Sequence, residues 1–297
     1  YNIPAGYTFF GQFVAHDLSF NLDKFIIDKN INSNNYRTPH FDLDNLYGPK
    51  DNKYLYSNNK FIINKKHDLN RNKDGIAIIP DSRNDENYIV SQLHLLFQLF
   101  HNKLVNKYKK ENVENVFEYV KKEVTFYYQW IIVNDFLPKL IDNSILDSIF
   151  KYGTKFFDSK KSNNCIPIEF SVAAFRYGHF TVRDEYLISN DYKMNQNDIH
   201  KFTKGCLPNL IIDWNNFFHV TDTTVPQPSK SIDTNISKNL QNMVHINTPK
   251  DFPYNKNNLL LRNLLRSQQQ CIASGQDIAK LMGLNPIPIE LLRKYDI

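Results

Sequence analysis

Three polar side chains of different chemistry share one strongly aromatic stretch, GQFVAHDLSF (11–20): the amide of Gln12, the imidazole of His16 and the carboxylate of Asp17. A free imidazole titrates near pH 6.5 and so takes up and returns a proton close to neutrality. Each of the three needs a partner if it is buried. Alone, the stretch would be a helix end whose His and Asp face water. Further along, Arg83 and Glu86 stand three apart in DSRNDENYIVSQLHLLFQLFHNKLV (81–105), and Arg176 and His179 stand three apart in AAFRYGHFTV (173–182). An isolated Arg83 would make an ordinary surface ion pair with Asp85 or Glu86. His94 and His101 lie seven apart on one helical face with Phe97 and Phe100 between them, and they are read as structural. There is no HExxH, so zinc-protease chemistry has no support. The run RTPHFDLDNLYG (37–48), with Thr38, Asp42 and Asp44, reads as an irregular oxygen-rich loop punctuated by Pro39 and Gly48.

Helices must position these groups. Apolar residues at helical spacing predict a short helix over 7–15, which puts Gln12 and His16 on one face. Val90, Leu93, Phe97, Phe100, Leu104 and Val105 predict a long amphipathic helix over 88–109, and a second is expected over about 113–140. Helical patterns follow at 168–179, 259–272 and 276–284, the last preceded by Ser274 with Asp277 three residues on, as in a capping box. The segment 186–214 is mixed, and 221–231, with Pro226 and Pro228, reads as a crossing loop. The expected architecture is all-α: one large, mainly helical domain over 1–297, with long loops and few short strands, cut short at one or both ends.

Composition narrows the function classes. Hydrophobic residues at 41%, with 22 Phe and 17 Tyr, supply a packed core and argue against disorder. The net charge of +5 is spread among Asn-rich loops without a stripe or a reader motif, so no nucleic-acid partner is expected. Cys165, Cys206 and Cys271 form no CxxC pair and indicate neither a disulfide framework nor a zinc knuckle. No apolar run approaches the roughly 20 residues of a transmembrane helix, and the sequence as it stands reads as soluble, with no leader visible. Nothing in it sets an oligomeric state.

Taken together and in order, these segments resemble the animal haem peroxidase (peroxidase-cyclooxygenase) superfamily, in its bacterial type, over nearly the whole chain. The resemblance implies haem b and one calcium ion. It places Gln12 and His16 on the distal side, with His16 as acid/base catalyst, Arg83 assisting O–O cleavage and Gln12 orienting water or halide. It makes His179 the axial ligand of the haem iron, with Asn239 from TNISKNLQN as the candidate partner of its second nitrogen. It assigns calcium to Asp17, Thr38, Asp42, Asp44 and the carbonyl of His40. Arg176 and Arg266 become candidates for pairing with the haem propionates, Arg266 from LLRSQQQCIASGQDIAKLMGL (264–284).

The chain departs from the mammalian pattern in ways that bear on chemistry. Ala15 precedes the distal histidine where an Asp would form one haem ester, so Glu86 alone is left for such a link. Asn87 stands where a Met would form a sulfonium link. These losses imply weaker oxidising power, with iodide, thiocyanate, bromide or phenols oxidised before chloride. Arg176 occupies the position, three before the axial histidine, where dioxygenases of the superfamily carry a radical Tyr, and Tyr177 does not match it. The expected activity is peroxidase, with hydrogen peroxide and a small reducing substrate as partners. The alternatives are a haem-dependent fatty-acid dioxygenase and a non-catalytic haem- and calcium-binding module, the latter needing neither His16 nor Arg83.

Overall fold

The computed structural model describes residues 3–20, 37–48, 52–64, 67–158, 166–201, 210–243 and 257–294. Cys165 and Cys206 lie outside the described residues, and Cys271 is an exposed free thiol. The helices are α1 (Gly6–Leu18), α2 (Asp44–Tyr47), α3 (Tyr88–Lys110), α4 (Val116–Ile131), α5 (Leu137–Leu140), α6 (Asn143–Tyr152), α7 (Gln196–Lys201), α8 (Lys238–Gln241), α9 (Leu259–Gln269), α10 (Gly275–Leu281) and α11 (Ile289–Arg293). The strands are short and pair as antiparallel hairpins: β1 (Tyr56–Ser57) with β2 (Lys60–Phe61), β3 (Ile63–Asn64) with β4 (Asp68–Leu69), and β5 (Glu185–Ser189) with β6 (Tyr192–Asn195). The mainly helical class is as expected. The β5–β6 hairpin occupies part of the segment that was too mixed to assign.

Helix α1 lies in the core. Phe13 stacks on Phe97 of α3 at 5.1 Å, while Tyr128 of α4 meets the edges of Phe10, Phe13 and Phe97. These rings fix the roll of α1 about its own axis and hence the direction of His16. No side chain caps its start. Instead Ala5 donates its backbone N–H to Gln227 O at 2.9 Å and Gly6 donates to Phe217 O at 3.0 Å, so the crossing loop and the turn just before it supply the acceptors. A Cβ on Gly6 would stand 2.6 Å from that same carbonyl oxygen and 2.4 Å from the Phe218 ring, which only glycine avoids.

Helix α3 begins at Asn87, whose side chain accepts from the backbone N–H of Ile89 and Val90. The residue in the position of the sulfonium Met is therefore a helix cap. The single helix expected over 113–140 is interrupted: α4 ends in a π turn, Ile132–Phe136, before α5. Pro138 has no N–H to give to a carbonyl of the preceding turn, and the ladder widens just ahead of it. The helix expected over 168–179 is also not α-helical. It is a π turn, Glu169–Ala173, followed by a 3-10 segment, Ala174–Thr181. Gly178 is a weak helix former, and a period of three to four residues does not separate an α-helix from its tighter or wider relatives. Ser274 caps α10 as expected, accepting from Asp277 N at 3.1 Å.

Candidate active site

The turn Ser82–Asp85 delivers two groups to His16. Its cap is Asp81, which accepts from Arg83 N, and its far end is pinned by Asp85, which accepts from both terminal nitrogens of Arg71 at 2.7 and 2.8 Å. Arg71 also holds Asp68, so burial, which disfavours its charge, is outweighed by two carboxylates. Arg83 therefore pairs with neither Asp85 nor Glu86 in the manner of a surface ion pair. Its Nε and Nη2 donate to Asp81 at 2.9 and 2.6 Å, and Nη2 also donates to the carbonyl of His16 at 2.9 Å. Arg37 reaches the same Asp81 at 3.0 Å, and both guanidinium groups lie over the Phe20 ring, at 5.2 Å for Arg37 and 4.8 Å for Arg83. Burial alone would raise the Asp81 carboxyl, but Arg83 and Arg37 hold it down at about 2, so the guanidinium stays anchored across the physiological range.

His16 is buried, and its Nδ1 lies 2.7 Å from Asn84 Oδ1. Burial first, and the adjacent Arg83 second, lower its pKa to about 4, so the imidazole is neutral near pH 7. Gln12 sits half-buried one turn earlier on the same face of α1. His94 and His101 are both buried in α3. His101 Nε2 meets Asn59 O and its Nδ1 meets the Tyr47 hydroxyl, each at 3.0 Å, while His94 Nδ1 lies 3.0 Å from the Nδ2 of Asn84. The first is a structural clamp, and the second supports the residue behind His16.

His179 sits on the 3-10 segment, which is tied to α1 by Thr8 Oγ1 and Thr181 Oγ1 at 2.9 Å. Burial and then Arg176 lower its pKa to about 3, leaving a neutral imidazole suited to ligate iron. The amide against its Nδ1 is that of Asn263 in α9, with Nδ2 at 2.8 Å, not that of Asn239, whose Nδ2 donates to Asp184 O at 3.3 Å. An imidazole that held iron through its Nε2 would need its Nδ1–H to donate, which a half-turn of the Asn263 amide allows by presenting Oδ1. Nothing in the residue types near Asn263 marks it, since its contact with His179 spans 84 positions of sequence.

Burial, then Arg266, Arg262 and Arg83, lower the pKa of Arg176, so like charges converge here. Glu86, between Arg83 and Arg262, is open to solvent yet enclosed enough that burial raises its carboxyl pKa, as expected of a side chain lining a concave surface. Converging guanidinium groups beside a neutral imidazole fit a haem whose propionates need cationic partners.

At the oxygen-rich loop, Asp17 is fully buried. Its Oδ2 accepts from Leu43 N at 3.3 Å, and its Oδ1 has no hydrogen-bond partner among the described residues. Burial, then the charge of Asp42, raise its pKa to about 7. Asp42 Oδ1 is likewise without a partner, while its Oδ2 accepts from Thr38 Oγ1 at 2.7 Å. Asp44 opens α2, its carboxyl raised by burial and by Asp42. His40 is exposed and donates its backbone N–H to Thr38 Oγ1 at 3.3 Å. Repelling carboxylates with unpaired oxygens are hard donors that a cation would satisfy. Among the described residues, however, no group of three or more His, Cys, Asp or Glu side chains is spaced to hold a metal ion.

Comparison with solved structures places the fold. The chain is similar to peroxidase A from Dictyostelium discoideum, with a TM-score of 0.67 and 17% identity over 96% of this chain and 67% of that one. It is also similar to fatty acid alpha-dioxygenases from Oryza sativa (TM-score 0.64, 14% identity) and Arabidopsis thaliana (TM-score 0.62, 16% identity). It covers 96% of its own length in both, but only 58% and 56% of those enzymes. No characterised protein sequence matches it significantly. The animal haem peroxidase family model matches residues 43–288, the region that carries Arg83, His179 and Asn263. With that match over most of its length, and with the fold shared by a peroxidase and two dioxygenases, the chain belongs to the animal haem peroxidase family, a family of haem-dependent oxidoreductases.

Proposed function

We propose that this protein is a peroxidase that reduces hydrogen peroxide and oxidises a halide, thiocyanate or a small organic donor. The observation that carries this reading is the juxtaposition of His16 and Arg83: a buried neutral imidazole with one nitrogen occupied, beside a guanidinium fixed by Asp81. Haem, when bound, supplies the redox-active iron at which the O–O bond breaks. His179 would hold that iron, Arg176 and Arg266 would pair with the propionates, and Glu86 is the side chain available for a single ester link. His16 takes a proton from one peroxide oxygen and returns it to the other, which leaves as water. Arg83 stabilises the negative charge that develops on the departing oxygen. Gln12, one turn away, orients water or halide. Calcium would be held by Asp17, Asp42, Thr38 and Asp44 with the His40 carbonyl, tying α1 to the loop before α2.

The second reading, a fatty-acid dioxygenase, is favoured by the rice and Arabidopsis neighbours. Against it stands Arg176, in the position where that chemistry places a tyrosine. Tyr177 is half-buried one residue later, and burial raises its pKa to about 12. One haem-loaded sample separates the two. Peroxide-dependent oxidation of guaiacol or iodide without oxygen uptake on linoleate or palmitate is expected. Oxygen uptake on a fatty acid without donor oxidation would replace the peroxidase by the dioxygenase.

A further inference from the structure

His16 is held by a side-chain amide from a turn 68 residues away, and that amide is occupied at both ends. Asn84 is fully buried, with Oδ1 2.7 Å from His16 Nδ1 and Nδ2 3.0 Å from His94 Nδ1. A carbonyl oxygen only accepts and an NH2 only donates. With the Asn84 amide in this orientation, His16 Nδ1 carries the hydrogen and His94 Nδ1 is the bare nitrogen, and His94 Nε2–H is then left without a partner among the described residues.

We propose that Asn84 is the positioning residue of His16, holding the imidazole as its Nδ1–H tautomer so that the Nε2 lone pair is the one presented to peroxide, with His94 holding Asn84 in the amide orientation that does this. The inference rests on the peroxidase reading for its consequence, but the tautomer itself does not. A half-turn of the Asn84 amide would exchange its two ends and reverse both histidines together. His16 would then present Nε2–H and could not accept the first proton. Which nitrogen of an imidazole carries the hydrogen is set by the partner of the other. The same short turn places Arg83 against the His16 carbonyl and Asn84 against its ring, so the charge-stabilising group and the tautomer-setting group arrive as one rigid piece, braced by Asp81 and by the Arg71–Asp85 pair.

The test is nitrogen NMR of histidine-labelled protein loaded with zinc protoporphyrin, a diamagnetic stand-in for haem, which reads each ring nitrogen as protonated or bare. The expected pattern is Nδ1–H for His16 and Nε2–H for His94. Asn84→Leu should lose the His16 Nδ1–H signature. Asn84→Asp, whose carboxylate accepts on both sides, should keep it while turning His94 to Nδ1–H. In the iron-haem protein, association of hydrogen cyanide, which must first yield its proton to His16, should slow by roughly 10- to 100-fold in Asn84→Leu and recover in Asn84→Asp. An Nε2–H His16 in the unaltered protein, or an unchanged tautomer in folded Asn84→Leu, overturns the proposal. If Asn84→Leu does not fold, the unaltered protein and Asn84→Asp still decide it. The expected tautomers in a protein that oxidises no donor would remove the peroxidase reading alone.

Discussion

In the proposed reaction His16 and Arg83 would serve the same oxygen atoms through different chemistry, and their loss should leave different signatures. His16→Ala should keep haem bound and lose roughly 10²- to 10⁴-fold in the rate of reaction with peroxide, read by stopped-flow absorbance. An unchanged rate would remove His16 from the mechanism. His179→Ala should instead change the ligand field of the resting haem, seen as a shifted spectrum and weakened haem retention, before any peroxide is added. At this scale the sequence singles out residue types that are rare in their setting: a histidine in an aromatic helix, or an arginine three residues before another histidine. It was silent on Asn84 and Asn263, because an asparagine has many ordinary places and these two act through contacts 68 and 84 positions apart. Proximity along the chain pointed instead to Asp85 or Glu86 for Arg83, yet the buried Asp81 is the partner.

Elements carry the precision of the site. Helix α1 is seated by the loop that caps its start, and Gly6→Ala would press a methyl group into Phe218 and the Phe217 carbonyl. Such overpacking should destabilise the fold by about 1 to 3 kcal/mol in urea denaturation, and a midpoint equal to that of the unaltered protein would show the contact to be less constrained. Asn87→Ala removes the cap of α3 and should cost about 1 kcal/mol without altering the haem spectrum. Calcium belongs to this scale too. If Asp17 and Asp42 share a cation, chelation should lower the melting temperature, and Asp17→Asn should abolish that response. Helix α3 was legible because 23 residues of sustained period leave little choice. The π and 3-10 geometry of 169–181 was not, because its distinction from an α-helix lies in which carbonyl each N–H reaches, and side-chain spacing barely registers that.

At the scale of the molecule, the buried histidines set an acid limit. His16 and His101 fall to about 4, and His94 and His179 to about 3, each chiefly through burial, while an unfolded imidazole titrates near 6.5. Between these values the unfolded chain binds more protons than the folded one, so stability rises with pH and is lost on acidification. Each such group contributes up to about 1.4 kcal/mol per pH unit in that window. Asp17, raised to about 7, runs the opposite way over the same range and offsets one of them. The urea midpoint of the haem-free protein should therefore drop steeply from pH 6.5 to pH 4.5, and a flat profile would mean that these imidazoles are not neutral in the fold. Among the described residues no helix is long and apolar enough to cross a membrane. The overall class followed from composition and period. The shared fold of a peroxidase and two dioxygenases shows why the reaction itself must be argued from Arg83, Arg176 and His16.

The most direct test of the central claim is the absorption spectrum of the haem-loaded protein before and after one equivalent of hydrogen peroxide, with guaiacol or iodide then added. The account predicts a Soret band that shifts on peroxide and returns as the donor is oxidised, with the first shift missing in His16→Ala. A bound haem whose spectrum ignores peroxide would contradict it and leave a haem-binding module.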